Sequence, residues 1–426
     1  THVVLAWLLG KSTNLEQTLA AQMLSHILLD NSASPLQHLL ETSELGEAPS
    51  PLCGLEDSQR ELAFICGLEG CDEKSADAVE TEILDTLKRI AEEGVDQPQL
   101  EAALHQLELQ QREVGGDGYP YGLQLVMSAL TSATHRGDPI ALLDVEAALA
   151  SLRQQIEKPD FIQSLIRELL LDNPHRVRLT LRPDTGISAR KQAAEKARLA
   201  ALKETLTDED KQRIIDMSLA LQKRQTQLDD DSILPGVTLQ DIPESLHYTQ
   251  GSNETINGYP LRRYAAGTNG IVYQQVVCKL PALDDDLLPL LPWYTNCLTE
   301  LGCGERDYLD NQRHQAEVVG SLSAFTNVRG NSDDVQNIDA YLTISSKALV
   351  RNHGAMDALL FETLHKARFD ELPRIRELIT QARARREQSI TGHGHSLAMT
   401  AASAGMSPSA KLSHQLGGLE GIASLK

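Results

Sequence analysis

Apolar positions recur along this chain at two different spacings, and the same order of spacings occurs twice. The unbroken run Val3-Val4-Leu5-Ala6-Trp7-Leu8-Leu9 predicts a strand. Leu15, Leu19, Met23 and Ile27, four residues apart, predict one face of a helix over 14–29. A second strand follows at Leu62-Ala63-Phe64-Ile65-Cys66, then helices over 75–93 and 97–113. The order returns with a strand over 271–277, a helix over 284–301, a strand over 340–344 and helices over 353–368 and 373–388. A duplicated α+β unit on this scale restricts the fold more than any single motif does. The predicted fold class is α+β, two similar domains, each an antiparallel-rich sheet with helices packed on one face.

The first copy closes where Val177, Leu179 and Leu181 alternate with Arg178 and Thr180, the pattern of a half-buried final strand. Pro183 and Gly186 then interrupt the chain. Residues 188–227 are helix-rich and charged, and they divide at Leu206-Thr207-Asp208-Glu209, where Thr207 or Asp208 caps a second helix. This reads as a helical hairpin with an apolar stripe that includes Leu199, Leu202, Ile214, Met217 and Leu221. Residues 229–258 carry prolines, glycines and acids with little periodicity and read as an extended connector. Gly267-Thr268-Asn269-Gly270 is a tight turn before the next strand. The expected domains are therefore 1–185, a hairpin and linker over 186–257, and a second domain over 258–426.

Composition narrows the function. At 426 residues the chain is too long for one core and suits two domains plus a connector. Apolar residues make up 41% and aromatics only 4%, so the cores are Leu, Ala, Val and Ile built. Sixty acids against 39 bases give a net charge of −21, which argues against a nucleic-acid partner, since phosphate binding needs clustered Lys and Arg. No apolar stretch is long enough to span a bilayer, so no membrane partner is expected. Thr1 leads straight into a strand, which reads as a piece of a longer protein. The six cysteines form no CxxC pair; Cys66 and Cys297 sit in apolar patterns as reduced core residues, which suits the cytoplasm or another reducing compartment.

Candidate chemistry is sparse. None of the thirteen histidines stands in an HxxEH or HExxH arrangement. His105 and His314 have Glu108 and Glu317 three residues on, with no second histidine. His393-Gly394-His395, with His414 nearby, is the most metal-like cluster but lacks the four ligands of a structural zinc site, and a flexible or helix-starting loop is the simpler reading. Gly115-Gly116-Asp117-Gly118 and Gly417-Gly418 lack a phosphate-loop context and read as turns. Arg383-Ala384-Arg385-Arg386, at the end of a helix, is explained by the helix dipole.

Several segments, in order, carry a family resemblance. Ser34-Pro35-Leu36, Leu45-Gly46, Ser50-Pro51 and Gly54, then Arg136-Gly137-Asp138-Pro139, then Leu171-Asp172-Asn173-Pro174-His175-Arg176-Val177 with Leu181-Arg182-Pro183, resemble the second domain of the presequence peptidase branch of the M16 (pitrilysin, insulinase-like) metallopeptidases. Gly270-Ile271-Val272-Tyr273 with Leu287-Leu288-Pro289-Leu290-Leu291-Pro292 resembles the start of its third domain. The resemblance covers essentially the whole chain. It implies a parent zinc metalloendopeptidase of four similar domains, whose two halves enclose and cut short unstructured peptides. Its zinc-binding HxxEH lies in a first domain and is absent here, so no catalytic residue and no metal ligand is assigned. The expected cofactor is zinc in the parent and none in this segment. The expected partners are unstructured peptides and the first and fourth domains of the same protein. The other reading is a degenerate, non-catalytic M16 scaffold subunit. The resemblance also implies a peptide-anchoring strand edge in the second domain, which falls on Leu52, Cys53, Gly54 and Leu55. An open edge offers unpaired N–H and C=O groups to an extended peptide.

Overall fold

A computed structural model of the chain describes residues 1–424, apart from 116–119, 231, 233, 243, 246, 247, 285 and 332. The first copy begins with β1 (His2–Lys11), α1 (Leu15–Leu29) and α2 (Pro35–Thr42). Asn14 starts α1 by accepting from the Gln17 N–H, and Pro35 sits in the first turn of α2, where its missing donor costs nothing. Two short strands, β2 (Ala48–Pro49) and β3 (Gly54–Glu56), precede β4 (Glu61–Glu69). The helices α3 (Ala76–Glu93), α4 (Gln97–Arg112), α5 (Tyr121–Thr134), α6 (Glu146–Ile156) and α7 (Phe161–Ile166) follow, and β5 (Arg176–Leu181) closes the domain.

The sheet order is β2-β4-β1-β5, with β3 also paired to β4 and every pairing antiparallel. Register sets the core. Val3, Leu5 and Trp7 lie opposite Leu68, Cys66 and Phe64, so all six share one face, and all six are buried. Leu19, Met23 and Ile27 of α1 and Val79, Ile83 and Leu87 of α3 pack into the same cluster. Trp7, wholly enclosed, donates its ring N–H to the Leu170 carbonyl at 2.9 Å. The other face is only partly covered, since Leu8, Val177, Leu179 and Leu181 are exposed.

Residues 183–267 form a separate compact unit. It holds α8 (Ile187–Thr205) and α9 (Asp208–Thr226), neither with a buried residue. Thr207 caps α9 in a reciprocal box with Asp210, as the division at Thr207 anticipated. The stretch read as an extended connector contains a hairpin, β6 (Gly251–Ile256) and β7 (Tyr259–Tyr264). Its turn is Asn257-Gly258, both at positive φ (52° and 86°), the conformation a two-residue hairpin turn requires.

The second copy contains β8 (Ile271–Lys279), α10 (Leu291–Leu298), α11 (Tyr308–Val318), β9 (Ser321–Gly330), β10 (Ile338–Leu349), α12 (His353–Lys366) and α13 (Leu372–Gly392). Three short helices end it: α14 (Gly394–Ser403), α15 (Pro408–Gly417) and α16 (Leu419–Ala423). The helix expected over 284–301 is instead a single tight turn at 288–290 followed by α10, because Pro289 and Pro292 supply no N–H for a continuous ladder. Its sheet order is β8-β10-β9.

Both copies belong to one compact unit. The helix α4 lies against α11, and Gln106 donates to the carbonyls of Ala316 and Val319 at 2.7 and 2.8 Å. Leu109, Ile271 and Leu349 make a small apolar core across the junction.

Candidate functional site

The four residues expected to form an anchoring edge occupy one turn and the start of one strand. Leu52 and Cys53 lie in the turn, whose Cys53 N–H donates to the Ser50 carbonyl at 3.0 Å. Gly54 has a φ of +132°, which a side chain would strain, and it turns the chain onto β4. Gly54, Leu55 and Glu56 then pair with Ile65, Phe64 and Ala63. Among the described residues no strand pairs with the other side of β3. Leu52 stands 45% exposed beside it, and Leu55 is half-buried.

The Cys53 sulfur packs 3.3 Å from both the N and the O of Gly67. Burial pushes its thiol up to about 11, so it is a packed thiol and no nucleophile at neutral pH. At the far end of β3, Glu56 accepts from the Ser58 N–H at 3.0 Å, and His135 Nε2 lies 3.2 Å from the Ser58 carbonyl. His135 follows α5, whose Tyr121, Leu123, Leu125, Val126, Met127 and Leu130 are all exposed. An unpaired strand edge and an uncovered apolar helix are thus fastened at the same turn. Such an edge leaves backbone N–H and C=O groups free for pairing.

The remaining candidates have structural roles. Glu108 is buried and accepts from Arg112 at 2.9 Å, Arg153 at 3.1 Å and Arg351 at 3.0 Å. Burial alone would raise its carboxyl, but Arg351 and Arg112 outweigh that and hold it down at about 2. Among the described residues His314 meets one carboxylate, Glu317 at 4.0 Å, and His414 one, Glu420 at 3.9 Å. His393 stands between α13 and α14, the helix-starting loop expected there. Among the described residues no group of three or more His, Cys, Asp and Glu could hold a metal. Of the first glycine cluster, Gly115 lies in a bend and 116–118 fall outside the described residues; Gly417 ends α15, and Gly418 separates it from α16.

The basic run corrects one expectation. Arg383 to Arg386 lie inside α13, which continues to Gly392, so the helix end does not explain them. Arg383 pairs with Glu387 at 3.3 Å, and Arg386 stacks over Trp293 at 5.7 Å. Nothing in the local pattern announces Arg374. It is buried between the copies, 2.9 Å from Glu41, 2.6 Å from Ser32 Oγ and 3.3 Å from both Glu300 and Glu377, under the Tyr308 ring.

The duplicated α+β unit, with its antiparallel sheets, defines the class of fold before any relative is considered. Residues 181–426 match the family model described as Peptidase M16 subfamily C associated, and residues 1–107 match Peptidase M16 inactive domain. The chain belongs to the M16 peptidase family, subfamily C, in its presequence protease branch. It is 30% identical over 423 residues to presequence protease 1, chloroplastic/mitochondrial, of Arabidopsis thaliana, covering 97% of this chain and 39% of that protein. It is 27% identical to the mitochondrial presequence protease of Xenopus laevis, covering 100% of this chain and 41% of that one. The crystal structure of pitrilysin aligns with a TM-score of 0.41 at 12% identity, over 100% of this chain and 43% of that one. The chain thus spans about two fifths of the length of the relatives it matches.

Proposed function

We propose that this chain is the non-catalytic central segment of a zinc metalloendopeptidase that encloses and degrades short unstructured peptides. In the parent it forms chamber wall from both halves, and it meets the first and fourth domains of the same protein. Without a first domain carrying HxxEH it neither binds catalytic zinc nor cleaves. The observation that carries the reading is the edge of β3 that no strand pairs among the described residues, with Leu52 and Cys53 in the turn before it and the exposed face of α5 beside it, in a chain of this family. An edge recognised through backbone groups suits substrates that share no sequence.

The test is a titration of a labelled unstructured peptide by fluorescence anisotropy, with mass spectrometry of the same samples. Saturable binding with an intact peptide is expected. Successive N–H groups point to opposite sides of a strand, so of Leu55→Pro and Glu56→Pro one removes an outward donor. That variant should weaken binding on the order of two- to tenfold, the worth of a single backbone hydrogen bond. Equal affinity of both folded variants and the parent chain would remove the edge from the mechanism, and zinc-dependent cleavage would show that catalytic residues lie within the chain.

A further inference from the structure

The two copies can be laid on each other through their buried positions. In α3 these include Val79, Ile83 and Thr86; in α12 Met356, Leu360 and Thr363 repeat the spacing. In each copy the helix follows the strand that pairs antiparallel with the copy's opening strand, β4 with β1 and β10 with β8. The copies differ on the other side of that opening strand. There β1 is flanked by β5, register His2 to Leu181 through Trp7 to Arg176. Among the described residues nothing pairs with that side of β8.

The side chains around the gap match the strand that fills it in the first copy. Arg178 and Arg176 of β5 reach Glu80 of α3 at 2.7 and 3.7 Å. In the common register Glu80 corresponds to Asp357 and Leu84 to Phe361. Asp357 is half-exposed, and among the described residues its one ion-pair partner is His353 of its own helix, at 3.8 Å. Phe361 is 57% exposed. A nine-residue edge strand with Tyr273 and Val277 open to solvent is a pairing hazard that proteins ordinarily cover.

We propose that the outer edge of β8 is a strand-accepting slot, filled by an antiparallel segment of the same polypeptide outside these 426 residues. Like β5, that segment alternates apolar and basic residues, and a base on its helix side meets Asp357. Two observations select this occupant. The first copy closes its own sheet with a later strand of this kind, and the relatives are more than twice as long as the chain. A second copy fits less well. The helix-facing residues of β8 are Val272, Gln274, Val276 and Cys278, opposite Ala348, Ser346, Ile344 and Leu342, so a partner β8 brings no base to Asp357. The slot is independent of the peptide edge at β3, since the two lie in different sheets.

The experiment is hydrogen exchange by mass spectrometry on the 426-residue chain, with and without a synthetic peptide of β5's own sequence, residues 175–182. The peptide should slow exchange across β8. Asp357→Asn should weaken its binding roughly two- to fivefold, the range of a partly exposed ion pair. That loss should vanish when the peptide's Arg176 and Arg178, the two that reach Glu80 in the first copy, are replaced by glutamine. Protection confined to β1 or to the β3 edge, no protection, β8 already protected by self-association, or indifference to Asp357→Asn would each overturn the proposal. Because β8 and β3 give separate peptic fragments, failure here is distinct from failure of the peptide edge.

Discussion

Trp7 and Glu108 show how single residues hold the first copy. The Trp7 ring is tilted against Phe64 at 6.1 Å, and its N–H satisfies a carbonyl 163 residues away. Trp7→Phe keeps most of the apolar volume and leaves the Leu170 carbonyl unpaired. The expected cost is about 1–3 kcal/mol, read as a shift in the urea midpoint by near-ultraviolet dichroism. Glu108 carries a pH signature. Its folded carboxyl is held at about 2 against an ordinary 4.5, so its stabilisation is complete above the ordinary value and fades as pH falls toward about 2. Glu108→Gln should therefore lower the urea midpoint at neutral pH, with the difference from the parent chain shrinking through the acid range. A constant difference would mean that the carboxylate charge is not what matters. The pairing of Glu108 with Arg112 is legible in the sequence from their spacing, whereas Arg153 and Arg351 come from two distant elements.

At the scale of elements, periodicity located most strands and helices and failed where a second local signal competed. The apolar run over 284–301 looks helical, but two prolines break its backbone ladder. The β6–β7 hairpin did have a sequence signal, Asn257-Gly258 between two extended stretches, hidden in a segment with little hydrophobic contrast because neither strand buries a face. The strand β9 and the short β3 are defined by the neighbours they pair with more than by their own composition. The cap of α9 was readable because a capping box is written within four residues. Thr207→Ala removes that box and should cost about 1 kcal/mol, seen as faster amide exchange in the first turn of α9. Unchanged exchange there would mean that other contacts fix the turn.

Across the whole molecule the two copies are joined by acids of the first and bases of the second: Glu108 with Arg351, Glu113 with Lys347 at 2.7 Å, and Glu41 with Arg374. The last pair is almost fully buried, at 7% and 2% side-chain exposure, so neither member tolerates loss of the other. Arg374→Ala should destabilise the joined unit by about 3–5 kcal/mol. Glu41→Leu together with Arg374→Met should recover part of that, because the buried Glu41 charge goes with its partner while Glu300 and Glu377, both more exposed, each lose one. Urea unfolding of the single and double variants separates these outcomes, and additive losses would show that the two residues do not act as a pair.

The sequence by itself determined the order of most strands and helices, the duplication, the family and the absence of an HxxEH motif from these 426 residues, because each is written in local spacing or in a short ordered motif. Tertiary structure decided which edges stay open and which charges meet. Whether β3 and β8 have neighbours on both sides depends on strands far away in the chain, and Arg374 finds Glu41 across 333 residues. Periodicity states which face of an element is apolar; only packing chooses what that face, or that edge, will touch.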